Sequence, residues 1–74
     1  MANHITQWKP QVTINGQTTS FSTYREVLKN MKLLLQRSNG EVFVSRSKRG
    51  EWGEWFEKWA RFNGKPTIMK QGWM

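Results

Sequence analysis

The sequence predicts a small α+β domain in which a β-hairpin, a helix, a strand and a second helix follow one another. Both helices would pack on one face of a short antiparallel sheet. Three observations lead to this fold class: an Asn-Gly pair between two strand-like stretches, an apolar stripe with helical spacing, and an aromatic stripe with the same spacing. A chain of 74 residues forms one domain. We place it at residues 1–64 and expect 65–74 to be a flexible or weakly structured basic tail.

The first element is the hairpin. Val12 and Ile14 alternate with polar residues, and Asn15-Gly16 supplies the two positive-φ positions that a type I′ turn requires. The two-residue loop pairs Ile14 with Gln17, Val12 with Thr19 and Pro10 with Phe21. One face of the hairpin is therefore apolar and the other is polar.

The second element is a helix over residues 23–38. Its apolar stripe consists of Tyr24, Val27, Leu28, Met31, Leu34 and Leu35. Thr23 and Glu26 have the spacing of a capping box, and Asn39-Gly40 is typical of a helix end. We expect the stripe to cover the apolar face of the hairpin. Arg25, Lys29 and Lys32 fall on one flank of this helix.

A short strand over 41–47 follows, with Val42 and Val44 on one face and Phe43 on the other. It leads into a basic turn at 46–49. The aromatic stripe after the turn predicts the second helix, although a strand over 54–62 is the competing interpretation because aromatic residues favour strands. The stripe consists of Trp52, Trp55, Phe56, Trp59 and Phe62. Asn63-Gly64 would end this helix, and 67–69 is either a short strand or part of the tail.

Composition excludes several classes of function. The chain has 12 Lys and Arg against 5 acidic residues, a net charge of +7, no cysteine, no aspartate and a single histidine. Cysteine zinc sites, Ser-His-Asp triads and two-histidine metal sites are impossible with these residues. The N-terminal ten residues lack the apolar core of a signal peptide, and the longest aliphatic run covers only 33–35. We expect a monomeric, cytoplasmic, non-enzymatic binding protein with no metal, cofactor, small-molecule substrate or membrane partner.

The candidate binding residues combine positive charge with aromatic rings. Cations neutralise phosphates while rings stack on unpaired bases, and the same two residue types dominate protein–protein hot spots. The competing interpretation is that the aromatic stripe is simply core. The candidates are Arg25, Lys29, Lys32, Arg46, Lys48, Arg49, Trp52, Lys58, Arg61, Lys65, Lys70 and Trp73.

A chain of this size that is basic, free of cysteine and rich in tryptophan resembles the small early proteins of lytic bacteriophages that bind bacterial RNA polymerase. That resemblance implies a regulator in the host cytoplasm that docks on an acidic surface of the polymerase and inhibits or redirects transcription without chemistry. The alternative is a regulatory protein that binds DNA or RNA directly. Its basic turn (Arg46, Lys48 and Arg49) and the flank of the first helix would then contact phosphates.

Overall fold

A five-stranded antiparallel sheet dominates the computed structural model, which describes residues 9–47 and 53–74. The strand order is β2-β1-β3-β4-β5, and two short helices connect β2 to β3. The expected hairpin–helix–strand–helix arrangement is therefore wrong, and the chain is a β-rich domain. The strands are β1 Gln11–Ile14, β2 Gln17–Ser20, β3 Glu41–Arg46, β4 Trp55–Phe62 and β5 Lys65–Trp73, and the helices are α1 Tyr24–Lys29 and α2 Met31–Arg37.

The β1–β2 hairpin confirms its predicted register. Asn15 and Gly16 have φ values of 51° and 84°, as a type I′ turn requires. Ile14 pairs with Gln17 and Val12 with Thr19. Beyond the last pair, the Phe21 N–H donates to the Pro10 carbonyl at 2.8 Å. The turn residues therefore determine which face of β1 is buried.

The predicted helix over 23–38 is two helices, six and seven residues long, separated at Asn30. The Asn30 backbone leaves helical geometry, with φ −102° and ψ 6°. Its side-chain amide donates to the Glu26 carbonyl at 2.8 Å, an example of an asparagine side chain competing for backbone hydrogen bonds. At the start of α1, the Thr23 hydroxyl accepts from the Glu26 N–H at 3.2 Å, which confirms the predicted N-cap.

The second predicted helix is wrong, because residues 55–62 form β4. This strand pairs with β3 on one side and β5 on the other. Asn63 and Gly64 have φ values of 53° and 78°, so they form a second tight turn of the same kind as Asn15-Gly16 instead of a helix end. The following strand, β5, covers Lys65–Trp73 and is much longer than the short strand considered at 67–69.

The core lies between the helices and one face of the sheet, here called the inner face. Its buried residues are Val12, Val27, Met31, Leu34, Leu35, Val42 and Val44. Side chains on the inner face occupy alternate positions of each strand. The pairings of Val12 with Val44 and of Val44 with Glu57 extend this face from β1 to β4. The opposite face carries Thr13, Phe43 and Lys58, and we call it the open face because no element within 9–47 or 53–74 packs on it.

Neither α1 nor α2 is long and apolar enough to cross a membrane, and these are the helices of the described residues.

Candidate functional site

The open face carries an aromatic pair at its centre. Phe43 on β3 and Phe56 on β4 have ring centroids 5.7 Å apart and planes inclined by only 9°, an offset-stacked arrangement. Both rings are partly exposed. Phe43 lies directly opposite Lys58, and Ser45 lies directly opposite Phe56. The two phenylalanines are therefore diagonal neighbours on adjacent strands. The pair forms a nearly flat apolar platform on the surface of the sheet.

Gly72 leaves room for one ring of this platform. It lies directly opposite Phe56 on the neighbouring strand β5. A Cβ atom at Gly72 would lie 3.4 Å from the Cε1 atom of the Phe56 ring. The absence of a side chain at Gly72 therefore lets the Phe56 ring lie against the backbone of β5.

Lysines continue the platform towards β5. Lys58 pairs with Phe43 on one side and with Lys70 on the other. Two like charges directly opposite each other on neighbouring strands are unfavourable. No ion pair within 9–47 or 53–74 neutralises either ammonium group, because the one salt bridge found there joins Arg46 to Glu57. Further along the same face, Phe62 is 56% exposed and lies opposite Lys65.

A hollow of about 570 Å³ borders the platform at the β1–β2 end of the open face. It lies between the β1–β2 turn and the α2–β3 turn, and its walls include Thr13, Glu41 and Phe43. The Asn15 side chain joins the two turns: its Oδ1 accepts from the Asn39 N–H at 3.1 Å, and its Nδ2 donates to the Arg37 carbonyl at 3.4 Å. The hollow is therefore fixed by hydrogen bonds between its two sides.

The inner face holds a buried carboxylate, that of Glu57, which is only 2% exposed. The Tyr24 hydroxyl donates to its Oε1 at 2.6 Å. The indole N–H of Trp59 donates to the same oxygen at 3.0 Å, and that of Trp55 donates to Oε2 at 3.1 Å. The Arg46 guanidinium lies 3.5 Å from Oε2. Four groups therefore compensate the cost of burying this charge.

Tyr24 and Arg46 also contact each other. The Arg46 guanidinium carbon lies 3.7 Å from the centre of the Tyr24 ring, a close cation–π contact. Burial raises the pKa of Tyr24 to about 12, and the hydrogen bond to Glu57 contributes in the same direction. The phenol is therefore held in its neutral, donating form. This network joins α1 to β3 and β4, and it accounts for the position of Arg46.

The predicted binding residues are distributed over several surfaces. Lys58, Lys65 and Lys70 share the open face. Arg25, Lys29 and Lys32 are exposed on α1 and α2. Arg46 is engaged with Glu57 and Tyr24 on the inner face, while Lys48, Arg49 and Trp52 lie outside the described residues.

Two further candidates lie apart from the lysines of the open face. Arg61 is exposed and lies opposite Pro66. It is three residues from Lys58 on the same strand, so the two side chains lie on opposite faces of the sheet. Trp73, at the end of β5, is 45% exposed and meets the ring of Trp55 edge-on, with centroids 5.2 Å apart. The structure therefore does not bring the candidate set together into one site.

Sequence reasoning missed the platform itself. Phe43 was correctly placed on the face opposite Val42 and Val44, which was a usable signal for an exposed ring. The helical spacing assigns Phe56 to the aromatic stripe of a helix, so the sequence does not predict its position beside Phe43. Glu57 lies within the residues predicted as that helix, and nothing in its sequence context indicates that it is buried.

No family model matches the chain, and no curated protein and no solved structure matches it significantly. Within residues 9–47 and 53–74, no cluster of three or more His, Cys, Asp or Glu side chains has the arrangement of a metal site.

Proposed function

We propose that this protein binds single-stranded nucleic acid on its open face. The observation that carries the proposal is the stacked pair Phe43 and Phe56 beside the adjacent Lys58 and Lys70, which no ion pair in the described part of the chain neutralises. Aromatic platforms bordered by cations are how proteins bind single strands with little sequence preference. The overall charge of +7 would accelerate the encounter with a polyanion.

A single strand suits this surface better than a duplex. The bases of a duplex are stacked on one another, whereas an unpaired base is free to stack on an exposed ring. Within residues 9–47 and 53–74, both helices pack on the inner face, so the open face presents no helix that would enter a groove. A phosphate between Lys58 and Lys70 would also relieve the repulsion between their ammonium groups, so the two lysines favour an anion at this position.

The experiment is a binding titration with a fluorescently labelled thymidine oligonucleotide, its RNA counterpart and a duplex of the same length, repeated over a range of salt. We expect the single strands to bind more tightly than the duplex. Phe43→Leu should weaken binding by about 1–3 kcal/mol, the usual contribution of one stacked base, and should leave the salt dependence unchanged. Lys70→Gln should reduce the slope of log K against log salt by about 0.7, the value for one phosphate contact in a single strand.

Matched controls come from the helical side of the molecule. Lys32→Gln removes the same charge from an exposed position on α2, and Leu33→Ala removes an apolar side chain that is 44% exposed there. Lys32→Gln should keep the affinity that Lys70→Gln loses, and Leu33→Ala should keep the affinity that Phe43→Leu loses. The proposal is wrong if no single strand binds at low salt, or if Lys32→Gln and Lys70→Gln have equal effects on the slope.

A different surface, on α1 and α2, favours the hypothesis that the protein regulates bacterial RNA polymerase. Leu28 and Leu33 are each 44% exposed on the two helices that also carry Arg25, Lys29 and Lys32. Exposed apolar groups beside cations suit a protein partner with an acidic rim. Titration of purified bacterial RNA polymerase against the wild type and Leu33→Ala would test this candidate. Binding that is sensitive to Leu33→Ala and insensitive to Phe43→Leu would support it over the nucleic-acid proposal.

A further inference from the structure

We infer that the hollow beside Phe43 selects guanine in the bound single strand, with the Glu41 carboxylate as the selecting group. This inference rests on the proposed function, because it requires a base stacked on the platform. It adds a base preference to a surface whose rings and lysines alone would accept any base.

The position of Glu41 carries the inference. Glu41 lies two residues before Phe43 on β3, so the two side chains share the open face. Both side chains border the hollow, as does Thr13, which lies directly opposite Phe43 on β1. A base stacked on the Phe43 ring would therefore have its edge directed into a space that contains a carboxylate.

Within the described residues, no ion pair occupies the carboxylate of Glu41. Glu41 is exposed, and the salt bridge found in the described part of the chain does not involve it. The hollow, at about 570 Å³, is within the range of about 300–1,000 Å³ found for small-ligand sites. The hydrogen bonds of Asn15 to the facing turn hold its shape, so little ordering would be needed on binding.

Guanine is the base that fits an ionised carboxylate. A carboxylate has two acceptor oxygens and no donor. The Watson–Crick edge of guanine presents two adjacent donors, N1–H and the N2 amino group, which match those two oxygens. Adenine and cytosine each present one amino group next to a ring acceptor, and thymine and uracil present one N–H between two carbonyl oxygens. These four bases would place at least one acceptor against the carboxylate.

This recognition also requires a single strand, because the donors of the guanine Watson–Crick edge are occupied by cytosine in a duplex. Base selection and strand selection would therefore have the same origin. The adjacent hydroxyls of Thr13 and Thr18, whose oxygens are 2.9 Å apart, border the same end of the platform and offer further polar contacts to the nucleotide.

The test compares labelled thymidine oligonucleotides that carry one central guanine, hypoxanthine, adenine or cytosine, with RNA versions in a second arm. The wild type should bind the guanine strand about 5- to 150-fold more tightly than the all-thymidine strand, the range expected of one good bidentate contact. Hypoxanthine lacks the N2 amino group and should lose most of this preference. Glu41→Gln should reduce the guanine preference to within about 2-fold by weakening binding of the guanine strand. It should bind the strands without guanine slightly more tightly because a negative charge is removed.

The outcomes separate this inference from the proposed function. Equal binding of all the strands by the wild type would overturn guanine selection and leave single-strand binding intact. A guanine preference that persists in Glu41→Gln would also overturn it, because another group would then be responsible. If no strand binds, the proposed function fails together with the inference. Glu26→Gln, which removes an exposed acid on α1, is the matched charge control and should keep the preference.

Discussion

Replacement of Glu57 by glutamine should destabilise the protein far more than its small change in shape suggests. Glu57→Gln preserves the length and volume of the side chain but removes its charge and converts one acceptor oxygen into an NH₂ donor. In the wild type, both oxygens accept from donors of Tyr24, Trp55 and Trp59. Whichever way the amide is oriented, its NH₂ group must face at least one of those donors.

The magnitude follows from the contacts that are lost. If the amide oxygen takes the place of Oε1, Tyr24 and Trp59 keep their acceptor, and the NH₂ group then faces the indole N–H of Trp55. An unsatisfied buried donor costs about 1–3 kcal/mol. The Arg46 guanidinium also loses its carboxylate partner, and removal of one member of a buried ion pair costs about 3–5 kcal/mol. We therefore expect a loss of at least about 3 kcal/mol from a domain whose total stability is on the order of 4–11 kcal/mol.

Urea denaturation followed by far-ultraviolet circular dichroism measures this loss. The matched control is Glu41→Gln, which makes the same chemical change at an exposed position on the opposite face of the sheet and should change the free energy of unfolding by about 0.5 kcal/mol or less. The thermal midpoint of Glu57→Gln should fall by about 12 °C or more. If the two variants differ by less than about 1 kcal/mol, the network around Glu57 does not make the expected contribution to the stability of the fold.

Two further predictions concern Tyr24 and the β4–β5 turn. Tyr24 is the only tyrosine, and its pKa is raised to about 12, so absorbance titration of the phenolate should give a midpoint near 12 in the folded protein and near 10 in denaturant. Because the unfolded state releases this proton first, the free energy of unfolding should fall as pH rises from about 10 to about 12, and Tyr24→Phe should reduce that fall. Gly64→Ala should cost about 1–2 kcal/mol in the same urea assay, because the φ value of 78° at this position is unfavourable for a residue with a Cβ atom. The control is Gln17→Ala at the exposed end of the other hairpin, which should have little effect.

The part of the fold that the sequence predicts well is the part in which local chemistry decides the structure. Asn15-Gly16 determines the turn, its two-residue length determines the register, and the resulting pairing of Val12 with Thr19 was obtained without knowledge of any distant contact. The N-cap at Thr23 is equally local. In both cases the deciding interaction joins residues close together in the chain.

The preference for a helix over the competing strand at 54–62 is wrong, because the helical spacing combines residues from two different faces of β4. Trp55 and Trp59 lie on the inner face, and Phe56 lies on the open face. A strand normally shows alternation of apolar and polar residues, but here the residue between the two inner tryptophans is the charged Glu57 and the open face carries an aromatic ring. The alternation was therefore hidden by a buried charge on one side and an exposed platform on the other.

Asn63-Gly64 is a local signal for the tight turn between β4 and β5. The same dipeptide predicts a hairpin turn at 15–16, and its φ values at 63–64 are nearly the same as those at 15–16. Interpreted as a hairpin turn, Asn63-Gly64 predicts a strand on each side, and these strands are β4 and β5. The assembly of Phe43, Phe56 and Lys70 into one surface follows only from that pairing, which explains why the candidate site was not obtained from the sequence.

The strand order β2-β1-β3-β4-β5 also has a consequence for the folding pathway. Three of the four strand pairings join consecutive strands, and only the pairing of β1 with β3 spans the helical segment. Formation of this one non-local contact requires closure of the loop that contains α1 and α2, which is the slow step expected from loop entropy. We therefore expect the β3–β4–β5 meander and the β1–β2 hairpin to form early and the rate-limiting barrier to be crossed when β1 docks on β3. The Val12–Val44 pair at that junction would then contribute to the folding rate as well as to the stability of the core.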